Sequence, residues 1–241
     1  MVANGPPPVH AGGPFVSPAP EELAAQFAIV AGADGVPMVI VVPAWSGLPA
    51  AGEAWLTALR EVGAPLANTI DTVPCGAYLK IFDPFIVNGQ RVLMETCWLP
   101  TLDAGGIDAC VRAMARAVSP GCTIVTHEFK GAASRVPCDA TAFGLRRDHV
   151  LIEIMATYPD RSQQRDEQLH LQWVQAALRD LSTTAFPGAY PNLLRSGDPE
   201  RASRSYGGNV ARLISAKRRY DPDNVFSAIP LPDPDDRIAA A

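Results

Sequence analysis

Short connections constrain this chain more than any other feature. Apolar runs of strand length and helix length alternate along it, but several segments between them are too short for the crossovers that parallel strands require. Runs at 36–44, 90–99, 122–129 and 150–158 read as strands, the first of them buried. Runs at 21–31, 52–62, 105–118 and 162–181 read as helices, with a further short helix at 75–82. Residues 1–20, rich in Pro and Gly, read as an extended arm, 64–74 as irregular, and 130–147 as a loop. The expectation is an α+β fold: an antiparallel sheet with helices packed on one face.

The stretch Ser205 to Phe226 has apolar residues at helical spacing and ends at Asp221-Pro222, where the residue before proline leaves the α region. On a helical wheel Tyr206, Val210, Leu213, Ile214, Ala216 and Tyr220 share a face. Asn209 and Lys217 fall on that same face, where a polar group is costly unless it finds a partner. Gly207-Gly208 in the first turn costs about 2 kcal/mol of helix propensity against alanine. Two readings are open. The glycines allow close backbone approach to something flat or bulky, or they are a frayed helix start with Asn209 bonded to a neighbouring loop.

Tyr206, Gly207, Asn209, Arg212, Leu213, Lys217, Tyr220, Asp221, Pro222, Asn224 and Phe226 match, in order and spacing, the C-terminal signature of the berberine-bridge-enzyme-like branch of FAD-linked oxidases. That branch lies in the vanillyl-alcohol-oxidase superfamily. Ser205 departs from it, since the family often has a second Tyr there. Weaker local matches run through Gly131, Ala132, Thr141-Ala142-Phe143, Arg146 and the corner Tyr190-Pro191-Asn192. The resemblance implies an arm at 1–14, a substrate (cap) domain at 15–193, and a C-terminal segment at 194–241 whose helix returns to the FAD domain in relatives. It also implies that Tyr206, Gly207 and Asn209 bind the cofactor, FAD. The family's FAD domain, with its glycine-rich pyrophosphate turns, resembles nothing in the 241 residues. Held alone, the chain is therefore expected to be colourless.

A flavin oxidase needs a base beside the substrate hydroxyl or amine. In the strand at 150–158, Val150, Ile152, Ile154 and Ala156 form an apolar face that should meet the helices, which turns Glu153 toward the flavin side as first candidate. Tyr190 is the second, because relatives place a Tyr-x-Asn corner near flavin and substrate; Leu193 stands where many carry a second aromatic. Glu95, Glu128 and His127 rank below them, and Trp45, Trp55, Trp98 and Trp173 are expected in the core.

A net charge of −5 without a basic block argues against nucleic acid or an anionic membrane as partner. Cys75, Cys97, Cys110, Cys122 and Cys138 are scattered and read as reduced thiols of a cytoplasmic protein, with no metal-ligand spacing to the histidines. The expected partners are a small-molecule substrate, an FAD-binding partner chain and a second copy of the chain. The alternatives are a flavin-free interaction module or an inactive truncation. An apolar patch on the open sheet face is expected. Asn209→Ala is expected to be nearly neutral for stability, and Leu213→Ala to cost about 2–5 kcal/mol.

Overall fold

The computed structural model describes residues 2–4, 19–32, 35–161, 164–195 and 198–232. Five long strands, β2 (Leu23–Ala31), β3 (Pro37–Trp45), β5 (Gln90–Leu99), β6 (Cys122–Phe129) and β7 (His149–Pro159), make the sheet; β1 (Val2–Asn4) and β4 (Pro65–Ala67) extend one edge. The order is β4-β1-β3-β2-β6-β7-β5, and every pairing is antiparallel. The helices are α1 (Pro49–Arg60), α2 (Cys75–Tyr78), α3 (Ala104–Ala115), α4 (Gln164–Leu181), α5 (Pro199–Tyr206) and α6 (Val210–Tyr220). This is the α+β fold that the short connections demand.

The core lies between the α3/α4 pair and one face of β5, β6 and β7. Cys97, Leu99, Cys122, Ile124, Ile152, Ile154 and Ala156 meet Ala109, Cys110, Ala113 and Met114 of α3, and Trp173, Val174, Ala177 and Leu181 of α4. Full burial of each large apolar side chain is worth about 1.5–3 kcal/mol. The Asp103 carboxylate accepts from Gly106 N at 2.9 Å and caps α3. Trp173 donates its indole N–H to Ala113 O at 2.8 Å, tying the two helices together.

Four readings of the sequence change. Residues 21–31, expected as a helix, form β2: a short apolar run satisfies both periods, and pairing to β3 and β6 decides between them. The strand expected as buried at 36–44 is only half-buried throughout β3, which lies at the far side of the sheet from the α3/α4 pair. The stretch expected as irregular at 64–74 contains β4. The C-terminal helix is two helices. Gly207, at φ +52° and ψ −127°, ends α5 in a conformation that a side chain disfavours; one 3-10 turn, Gly207–Asn209, then leads into α6. Tyr206 therefore belongs to α5 and not to the helix that ends at Asp-Pro. Of the arm at 1–14, residues 2–4 form β1 and the remainder lies outside the described residues.

Candidate functional site

Residues directly opposite one another on paired strands share a face. On the sheet face away from α3 and α4, Thr96, Glu153, Val125, Ala28 and Ile40 form one row, and Trp98, Leu151 and His127 form the next. Alternation along β7 thus puts Glu153 where the sequence places it, on the face that no described helix of the core covers. Its side chain is 18 % exposed, and Oε1 lies 3.2 Å from His127 Nε2; the His127 side chain is 39 % exposed. Behind the imidazole, Gln26 Nε2 stands 3.5 Å from His127 Nδ1. Opposite Glu153, Thr96 Oγ1 accepts from Tyr190 N at 2.9 Å, and the Tyr190 hydroxyl accepts from Asn192 at 3.0 Å. Glu153 and Tyr190, far apart in sequence, therefore both border Thr96.

An aromatic cluster seals the neighbouring end of this face. Trp98, only 1 % exposed, meets Phe143 and His149 edge-on at 6.0 and 6.1 Å, Phe129 stacks on His149 at 4.5 Å, and Phe143 meets Tyr190 at 6.3 Å. Trp98 and Trp173 are core residues, as expected, whereas Trp45 and Trp55 are half-buried. Burial pushes the pKa of His149 down, opposed by the hydrogen bond to Arg147 O.

The other candidate acids are committed elsewhere. Glu95 pairs with Arg201 and lies 3.7 Å from Arg195, while Arg201 also donates to Thr96 O at 2.6 Å, strapping α5 to β5. Glu128 pairs with Lys130 at 3.2 Å and accepts from Ala25 N. Among the described residues no group of His, Cys, Asp and Glu could hold a metal ion.

The trio Tyr206, Gly207 and Asn209 divides by geometry. Tyr206 is buried and its hydroxyl donates to Pro230 O at 3.4 Å; burial raises its pKa. Asn209, 8 % exposed, donates through Nδ2 to Cys138 O at 2.8 Å, Thr141 O at 3.2 Å and Ala142 O at 3.4 Å. Gly207 and Gly208 are exposed, with open space where a side chain would be. The turn therefore offers bare backbone outward while the two flanking side chains point into the protein. Arg212 donates to Asp139 O at 2.6 Å, and Arg146 donates to Phe143 O and Thr141 Oγ1. Motif residues of the C-terminal segment thus meet the loop at 130–147, which Arg146 braces from within. Lys217 finds the partner that its inward position requires: it pairs with Asp221 and donates to Phe226 O at 2.7 Å. The Asp221 carboxylate, its pKa held down chiefly by Lys217, also accepts from Val225 N and Phe226 N, which makes the Asp-Pro-x-Asn-x-Phe string a locked turn.

Residues 179–229 match the family described as berberine and berberine like. The resemblance to the C-terminal part of FAD-linked oxidases of this family holds. The chain is 35% identical over 96 residues to the FAD-linked oxidoreductase YvdP of Bacillus subtilis (strain 168), covering 40% of the chain and 21% of that relative. It is 25% identical over 217 residues to the FAD-linked oxidoreductase aurO of Gibberella zeae, covering 86% of the chain and 41% of the relative. A variant of berberine bridge enzyme superposes with a TM-score of 0.74 at 17% identity over 97% of this chain and 55% of that one. For 6-hydroxy-D-nicotine oxidase from Arthrobacter nicotinovorans the TM-score is 0.71 at 18% identity, over 89% and 48%. The chain spans less than half the length of the curated relatives it matches.

Within the berberine-like segment the structure reverses an expected order of stabilities. Leu213 and Ile214 are only half-buried and Tyr220 is exposed, because α6 leans on the protein by one narrow edge. Asn209→Ala should cost about 2–3 kcal/mol, since three carbonyls lose a buried donor. Leu213→Ala should cost about 1 kcal/mol. Urea unfolding of both variants checks this; a nearly neutral Asn209→Ala would return Asn209 to a role outside the fold.

The sequence alone does not point to Gln26, because its segment suits a helix as well as a strand, or to Thr96, because nothing in its own sequence neighbourhood marks it. Only strand register shows that His127 reaches Glu153.

Proposed function

We propose that this chain is the substrate-side part of an FAD-dependent oxidoreductase, acting on a small organic alcohol, amine or sugar-like metabolite together with a separate FAD-binding part. The observation that carries the reading is Glu153. A largely buried carboxylate stands on the sheet face away from α3 and α4, with His127 on one side and, on the other, Thr96, whose hydroxyl accepts from Tyr190 N. The similarity to FAD-linked oxidoreductases supports FAD as cofactor.

The residues present fit one part of that cofactor. The open backbone of Gly207 and Gly208 suits the approach of a flat ring, and Tyr206 and Asn209 hold that turn in place from below. FAD, when bound, supplies the hydride acceptor. The chain's own part is to orient the substrate and to take the proton from its hydroxyl or amine onto Glu153 as the carbon–oxygen or carbon–nitrogen double bond forms. Tyr190 borders the same space.

The surface also fits a partner. Leu79, Ile81, Phe82, Phe85, Ile86 and Val87 lie exposed in one short segment. The exposed apolar patch lies on this segment rather than on the sheet face where it is expected, and it suits packing against the FAD-binding part or a second copy. The same patch supports the alternative, a flavin-free interaction module. No described helix is long and apolar enough to cross a membrane. The five free cysteines support a cytoplasmic location.

Co-expression with a flavin-binding half from a relative tests the reading. The expected result is a yellow complex whose flavin absorbance bleaches on adding an oxidisable alcohol or amine, whereas the chain purified alone is colourless. A colourless co-purified complex would overturn the oxidase reading, and near-stoichiometric flavin on the chain alone would overturn the need for a second part.

A further inference from the structure

Three histidines lie among the described residues, and one is held differently from the other two. His149 Nδ1 lies 2.7 Å from Arg147 O, and His170 Nδ1 lies 2.6 Å from Asp166 O. A carbonyl oxygen only accepts, so both rings carry their proton on Nδ1. On the far side of its ring His170 Nε2 then accepts from the Ser119 hydroxyl at 2.9 Å.

His127 has the opposite surroundings. Its Nδ1 faces an amide nitrogen, Gln26 Nε2, which can only donate. Its Nε2 is buried and faces a carboxylate oxygen, Glu153 Oε1, which can only accept while ionised. A neutral imidazole has one donor and one acceptor, and only the form protonated on Nε2 suits both neighbours. Nε2 and Oε1 are 3.2 Å apart but not yet aligned as a hydrogen bond. A buried N–H without a well-formed bond is costly, so this ring nitrogen draws the carboxylate toward it. Such contacts tighten when an active site fills.

We propose that His127 is a positioning residue for Glu153. Gln26 and Glu153 together fix the imidazole with the proton on Nε2, Nε2–H holds Glu153 Oε1, and Oε2 is left for the substrate. His127 thereby sets which carboxylate oxygen receives the substrate proton. The proposal rests on the reading of Glu153 as base. It assigns a task to a side chain on β6 and to one on β2, so that three adjacent strands contribute to one carboxylate.

Long-range 1H–15N spectra of the histidine rings, taken near neutral pH on the full chain carrying His10→Gln, test the arrangement. The expected pattern is Nδ1–H for His149 and His170 and Nε2–H for His127. The Nδ1–H form at His127 would overturn the proposal. In Glu153→Ala, His127 should become a mixture of both forms while His149 and His170 keep theirs, which also reports that the fold is intact. An unchanged His127 signal in that variant would overturn the link to Glu153. In the oxidase completed with a flavin-binding half, His127→Ala should lower kcat about tenfold at nearly constant KM, and His127→Gln, which keeps an N–H donor, should recover most of it. Full turnover in His127→Ala beside an inactive Glu153→Gln would sink the positioning role and leave the base in place. Full turnover in Glu153→Gln with the Nε2–H signal intact would sink the base reading instead.

Discussion

Glu153→Gln should lower kcat/KM of the completed oxidase by about 10²–10⁴-fold, the usual worth of a positioned general base. Glutamine keeps the size and one acceptor oxygen, so His127 retains its neighbour and the sheet its packing. What disappears is the group that takes the substrate proton. The loss should fall mainly on kcat, because the base acts on the transition state more than on the bound substrate. Glu128→Gln is the matched control. It is the same exchange on the adjacent strand β6, but Glu128 points to the other face of the sheet, where it pairs with Lys130. Steady-state rates of both variants, with thermal melting as a check on the fold, decide the matter. Equal rates for the two would remove Glu153 from the chemistry.

Gly121→Ala should be the most damaging single substitution for the fold, at about 3 kcal/mol or more. Gly121 stands just before β6, where its carbonyl accepts from Thr157 N at 2.9 Å. A Cβ placed there would lie 1.9 Å from Thr157 O, a backbone atom in the strand that carries Glu153. No rotamer relieves such an overlap. Either β6 separates from β7 at this point or the neighbouring register shifts, and the row through Glu153 moves with it. Gly76→Ala, where an added Cβ meets nothing within 4 Å, is the control and should be near neutral. Denaturant unfolding followed by circular dichroism measures both. A Gly121→Ala protein of ordinary stability would mean that the β6/β7 contact is looser than the geometry shows.

Local pattern was enough for much of this molecule. The alternating residues of 150–158 separate two faces without help from any neighbour, so the outward direction of Glu153 is legible from β7 alone. The helical spacing of Trp173, Val174 and Ala177 names the side of α4 that enters the core. Asn209 and Lys217, polar residues at apolar wheel positions, announce that partners must exist. The C-terminal signature carries the family resemblance in its order and spacing alone.

Tertiary structure decided everything that depends on pairing between distant segments. The run Leu23–Ala31 suits a helix or a strand by its own period, and only the edges offered by β3 and β6 make it β2 and so place Gln26 behind His127. Lateral register, which no single strand encodes, sets Thr96 opposite Glu153 and brings Tyr190 to Thr96 across 94 residues. The identity of Asn209's partners rests on where the loop at 130–147 crosses the turn, 67 to 71 residues away. Side-chain periodicity is a property of local backbone geometry and can be read along one segment; a hydrogen bond across the sheet forms only after chain entropy has been spent on bringing two segments together, and many segments compete for each place.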